Sequence, residues 1–152
     1  MSIPVHHNNE TQAAEAFSKQ SVIFDDLYGN DLIIQYKRER VRQHILQYAK
    51  PGNAMLEVNC GSGEDALFFA EKGFNVHATD ISTGMLEVLK EKTSRSSYSK
   101  RISIEQCSFT SLDQLKKTGR YDFIYSNFGG LNCTGELSKV ITGVDDLLKP
   151  GG

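Results

Sequence analysis

Two carboxylates and a pair of glycines hold the spacing in this sequence that could do chemistry. Gly61 and Gly63 lie in Asn59-Cys60-Gly61-Ser62-Gly63, a turn of small residues, and Ala66 completes a G-x-G-x-x-A spacing. Glycine has no Cβ, so the chain can bend sharply there and a ligand can approach the backbone closely. A helix opening near Glu64 aims unpaired N–H groups, and the positive end of its dipole, at that ligand. Asp80 closes the next apolar run, where a carboxylate can accept hydrogen bonds from two ribose hydroxyls. Glu57 sits inside the first apolar run, where it would be unwelcome beside a pyrophosphate.

These residues need elements to carry them, and the pattern supplies one βαβ unit. Met55 to Val58 is a short apolar run and reads as a strand. Glu64 to Lys72 carries Ala66, Leu67, Phe69 and Ala70 at helical spacing, and Gly73 stops it. Asn75 to Thr79 is a second strand ending in Asp80. Thr83 to Lys92 reads as an amphipathic helix with Met85, Leu86, Val88 and Leu89 inward. Ile102 to Cys107 alternates as a third strand, Asp113 to Gly119 as a short basic helix or turn, and Tyr121 to Ser126 as a fourth strand. A last helix spans Thr134 to Leu148, followed by Lys149-Pro-Gly-Gly152. The implied fold class is α/β, a parallel sheet flanked by helices.

The glycine motif, the acid after the second strand, the following Ile81-Ser-x-x-Met85-Leu, and Leu148-Lys-Pro-Gly-Gly152 occur here in that order. Together they resemble the class I S-adenosylmethionine-dependent methyltransferases, over roughly Met55 to Gly152, and the resemblance implies a Rossmann-like, doubly wound α/β sheet of about four parallel strands in order 3-2-1-4, flanked by helices and lacking the last three strands of that fold. The resemblance implies S-adenosyl-L-methionine as cofactor and a cofactor site drawn from Glu57, Asn59, Cys60, Gly61, Gly63, Asp80, Ile81, Met85, Cys107, Ser108, Phe109 and Asn127. Within that set Glu57 would orient the amino end of the methionine part and Ile81 would lie against adenine. Asn127 or Asn132 would reach the reacting end, and no catalytic residue is assigned. The sequence departs from the family at three points. Asn59 replaces the usual first glycine of the turn, a position Asn suits because it tolerates left-handed backbone angles. Cys107-Ser108 stands where the family has Gly-Asp after the third strand, leaving adenine recognition to Ser108 and backbone groups. The family also continues through three more strands beyond the Lys149-Pro-Gly-Gly152 turn. The sequence therefore reads as the front portion of a longer enzyme, with the fourth strand as an open, rather apolar edge available for self-association.

Residues 1–50 form an N-terminal helical segment in this reading, and 51–152 the core of a single, incomplete domain. Glu10 to Leu27 suggests one or two short helices, with His6-His7 in a polar tail before them. Asp31 is placed to N-cap a helix running to about Ala49, with Ile33, Ile34, Tyr36, Val41, Ile45, Leu46 and Tyr48 on its apolar side. Lys37, Arg38, Arg40 and Arg42 read as a solvated face, and Asp25-Asp26 as acids without a partner motif. By analogy with the family, Phe24, Tyr28, Tyr36 and Arg40 are the candidates to cover the site.

Composition is that of an ordinary globular chain, with 39% apolar and 24% charged residues in 152. The net charge of −2 gives no electrostatic footprint for nucleic acid or an anionic membrane. Cys60, Cys107 and Cys133 are too widely spaced for a zinc motif, and their odd number points to reduced thiols in a cytoplasm. The expected partner is a small-molecule acceptor. Two other readings stay open: a nicotinamide-dependent dehydrogenase fragment, and a scaffold that keeps the fold without the ligand.

Overall fold

A computed structural model describes residues 9–117 and 119–152; the tail carrying His6-His7 lies outside them. The elements are α1 (Asn9–Tyr28), α2 (Leu32–Leu46), β1 (Ala54–Glu57), α3 (Glu64–Glu71), β2 (Asn75–Asp80), α4 (Thr83–Ser94), β3 (Ile102–Gln106), β4 (Phe123–Tyr125) and α5 (Leu137–Leu147). The four strands pair in parallel in the order β3-β2-β1-β4, as the resemblance implies. Successive residues of β1 point to opposite faces. Met55 packs with Phe69, Phe74, Val76 and Leu89 on one side. Leu56 packs with Phe109, Leu112, Tyr121 and Val140 on the other. The sheet is thus covered on both faces, and its carboxyl edge is the end left for a ligand.

One buried imidazole is settled by its neighbours. His77 Nε2 lies 3.1 Å from Glu105 Oε2, and Nδ1 lies 2.6 Å from the Tyr121 hydroxyl. Burial holds this histidine below its ordinary value, against the pull of Glu105. A neutral ring fits both contacts, with Nε2–H donating to the carboxylate and Nδ1 accepting from the phenol.

Several elements differ from the sequence expectation. Glu10 to Leu27 forms one continuous helix, α1, with no break before Gly29. Asp31 caps α2 as expected, its Oδ1 accepting from the Ile33 and Ile34 amides. The helix then turns a different face inward: Ile33, Tyr36 and Tyr48 are exposed, and Ile45 is its one buried residue. Only the end of α2 reaches the core; its middle is held through arginines. Of the segment read as a short basic helix or turn, Asp113 to Gly119, only Asp113 and Gln114 are helical among the described residues, in the 3-10 turn Leu112–Gln114, and Lys116 and Lys117 follow outside it. The chain from Gly130 to Cys133 is another, which delays α5 to Leu137. The edge of β4 is partly closed, because Tyr121 N donates to Leu147 O and Lys149 N to Tyr121 O. The Lys149-Pro-Gly-Gly152 turn therefore already pairs alongside the start of β4.

Candidate functional site at the carboxyl ends of β1 and β2

The glycine turn is built around Asp80. Its Oδ2 accepts from the Gly61 amide at 2.8 Å and its Oδ1 from the Ser82 amide at 2.8 Å. One carboxylate thus ties the turn after β1 to the start of α4. Each oxygen keeps a second lone pair for another donor. Burial pushes the Asp80 carboxyl up, and these backbone donors oppose it. Gly61 has φ +56, and a Cβ built on it meets nothing within 4 Å. Gly63 has φ +81, but a Cβ there would lie 2.1 Å from Leu89 Cδ1. Gly61 therefore faces open space, whereas Gly63 lets α3 pack against α4. Asn59 adopts φ +50, filling the left-handed position its type favours, and its amide donates to Asn127 O at 3.2 Å.

Glu57 ends β1 in a dry setting. It is 3% exposed, and its Oε2 and the Tyr125 hydroxyl make no hydrogen bond of good geometry among the described residues, although the two groups lie close enough to interact. Burial pushes its carboxyl well above the ordinary carboxylate range; the nearby Asp65 carboxylate adds to this, and Tyr125 and Arg38 oppose it. Asp65, buried at the start of α3, is ion-paired to Arg38 at 2.8 Å and to Arg42 at 2.7 Å. Asn127 Nδ2 donates to the same carboxylate at 3.0 Å. Arg38 and Arg42, expected on a solvated face, instead hold α2 over the sheet end, whereas Lys37 and Arg40 are exposed as expected. Arg38 also stacks on Phe128, 4.6 Å from the ring centroid. Phe128 takes φ +56, a costly setting for a bulky residue and one that recurs at functional sites.

These groups face a cavity of about 320 Å³. Glu57, Asn59, Cys60, Gly61, Asp80, Ile81, Met85, Phe109 and Asn127 line it. Gly63, Cys107, Ser108 and Asn132 are not among the lining residues. The Cys107 thiol turns to the Ser108 and Ser111 carbonyls, and burial pushes it up to about 11. Ser108 hydrogen-bonds Glu10, which does line the cavity. Of the expected covering residues, Phe24 and Tyr28 reach the cavity, their rings 4.8 Å apart. Tyr36 and Arg40 lie in a separate depression with His44 and Gln47. They stand two residues from Ile34 and Arg38, which puts them about 200° round the helix.

Five further residues escaped the sequence reading: Glu10, Arg38, Asp65, Tyr125 and Phe128. Asp65 carried a signal, since an acid inside the first turn of a helix that opens on a ligand is well placed electrostatically. Asp25, read as an acid without a partner, accepts from Ser62 Oγ at 2.5 Å and from Lys92 Nζ at 2.8 Å. It thereby ties α1 to the glycine turn and to α4.

Comparison with known proteins agrees with this architecture. An uncharacterised protein of Methanocaldococcus jannaschii is 28% identical over 148 residues, covering 97% of this chain and 51% of its own length. The CcbJ methyltransferase of Streptomyces caelestis superposes with a TM-score of 0.63 at 27% identity, over 71% of this chain and 43% of that one. A glycopeptide N-methyltransferase, MtfA, crystallised with S-adenosyl-L-methionine, superposes with a TM-score of 0.66 at 19% identity, over 75% and 46%. The chain spans about half the length of each of these three proteins. Residues 55–152 match the family model described as a methyltransferase domain, and the chain belongs to that family.

Proposed function

We propose that this chain is the cofactor-holding part of an S-adenosyl-L-methionine-dependent methyltransferase acting on a small-molecule acceptor. The observation that carries the reading is Glu57 Oε2, a buried acceptor with no well-formed hydrogen bond among the described residues and only a loose contact to Tyr125, in the same cavity as Asp80 and Gly61. Leaving such an atom dry costs about 1–3 kcal/mol. An α-ammonium group supplies the donors it lacks. Asp80 keeps lone pairs for a ribose, Gly61 leaves room for a close approach, and Ile81, Met85 and Phe109 offer apolar surface for a base. The residues present fit the cofactor.

When bound, the cofactor supplies a methyl group on a sulfonium, which is already a good leaving group. The chain then has chiefly to bind, orient and exclude water, and such positioning is worth up to about 7–11 kcal/mol. Glu57 and Asp80 fix the two ends of the ligand. Phe17, Phe24 and Tyr28 wall the cavity with aromatic rings, which suits both a sulfonium and an apolar acceptor. The reading extends to a cytoplasmic setting, supported by three free thiols, and to self-association along the unpaired part of β4. No helix among the described residues is long and apolar enough to cross a membrane.

Calorimetric titration with S-adenosylhomocysteine tests the assignment. Binding is expected with the full chain and is expected to weaken at least tenfold in Asp80→Asn. NADH is expected to give no heat. Binding of NADH with indifference to S-adenosylhomocysteine would select a dehydrogenase fragment instead.

A further inference from the structure

The loop after β3, Cys107 to Ser111, carries hydroxyls and a thiol but no acid, and only its Phe109 lines the cavity. A hydroxyl both donates and accepts, so it cannot tell an amino group from a carbonyl; a carboxylate accepts only. One carboxylate does reach this place, from the other end of the chain. Glu10, in the first turn of α1, lines the cavity with Asp80, Ile81 and Phe109. Ser108 Oγ donates to its Oε1 at 2.5 Å, and Thr110 Oγ1 donates to its Oε2 at 3.2 Å. The Thr110 amide donates to Ser108 Oγ at 3.1 Å, which leaves the serine proton free to point at the carboxylate. Glu10 is therefore held by the β3 loop rather than by its own helix. Glu10 thus stands beside the loop that follows β3, in the same cavity as Asp80 at the end of β2.

A nucleoside whose sugar meets Asp80 would have Ile81, Phe109 and Glu10 in the same cavity to receive its base. We propose that Glu10 reads the exocyclic amino group of the purine, making it the residue that selects adenine over a 6-oxo purine. This rests on the cofactor assignment above. The two hydroxyl donors leave each carboxylate oxygen one further lone pair, enough to accept from an amino group. A 6-oxo base would set a carbonyl oxygen against the carboxylate, with no proton between them.

Glu10 could otherwise serve only to fasten α1 to the β3 loop, so the test uses a ratio that fastening alone would not change. Affinities for S-adenosylhomocysteine and S-inosylhomocysteine are measured by calorimetry on the full chain and on Glu10→Gln. The natural chain is expected to prefer the adenosyl ligand at least tenfold. In Glu10→Gln the preference should fall to within about threefold, because an amide offers a donor as well as an acceptor. A natural chain that binds both ligands equally overturns the proposal, whatever the variant does. So does a variant that weakens both in proportion, which would mark Glu10 as a tie alone. Binding of neither ligand by the natural chain overturns the cofactor assignment, and this proposal with it.

Discussion

Glu57 is costly to the unliganded protein. Its folded-state carboxyl lies well above the ordinary 4.5, pushed there mainly by burial. A raised carboxyl contributes stability that is complete below its unfolded value and is lost as pH climbs through its folded value. Relative to Glu57→Gln, the natural chain should therefore lose stability as pH rises from about 4.5, and the difference should be constant below that. Chemical denaturation of both chains across this range checks the sign; a difference that grows on acidification instead would contradict it. Ligand binding should respond in the opposite way. An ammonium group beside Glu57 favours the ionised form, so binding should release a proton and its heat should vary with the buffer. In Glu57→Gln the proton release should vanish and affinity should fall roughly tenfold or more, the worth of a hydrogen bond between charged groups.

The two glycines of the turn separate into different jobs at the level of the elements. Gly63 brings α3 against α4, where Leu89 is fully buried. An alanine there combines a positive φ with overpacking, for about 2–4 kcal/mol of lost stability. Gly61→Ala meets no neighbour and should cost only the backbone strain, about 1–2 kcal/mol, while weakening the ligand more than Gly63→Ala does. Thermal melts and S-adenosylhomocysteine titrations of both variants test this; equal melting losses would show that the two positions are not distinct. The contrast was not legible in G-x-G-x-x-A, since the spacing marks both glycines alike. What could be read was local: the strand, turn, helix and strand from Met55 to Asp80 and the cap at Asp31, while the order of the sheet came with the family resemblance. Contacts made at long range could not be read. Arg38 and Arg42 look solvated until Asp65, more than twenty positions later, is seen buried beneath them. Glu10 looks like an ordinary first-turn acid until the β3 loop arrives 98 residues on. Tyr36 sits on a periodic apolar row, yet only the end of that row meets the core.

For the whole molecule, these long-range ties decide how α1 is held. Ser21 is the one buried residue of this 20-residue helix, and Val22, Ile23 and Leu27 are exposed. Its attachments are polar: Glu10 to the β3 loop, Ser18 to Ser82, and Asp25 to Ser62 and Lys92. Its apolar side, with Ala13, Ala14, Phe17 and Phe24, borders the cavity instead of a packed core. Few buried apolar contacts mark a segment that opens at low free energy. A ligand filling the space between α1 and the sheet end adds the missing apolar contact, at roughly 25 cal/mol per Å² removed from water. Amide exchange across residues 9–28 should therefore be fast in the free protein and slow markedly with S-adenosylhomocysteine, whereas β1 and β2 should be protected in both states. Saturation at about 100 times Kd should also raise global stability by about 2.7 kcal/mol. Exchange in α1 that is slow without ligand and unchanged by it would mean that the polar ties alone fix the helix. Slowing confined to residues 54–80, with α1 unaffected, would place the ligand against the sheet without the helix closing over it.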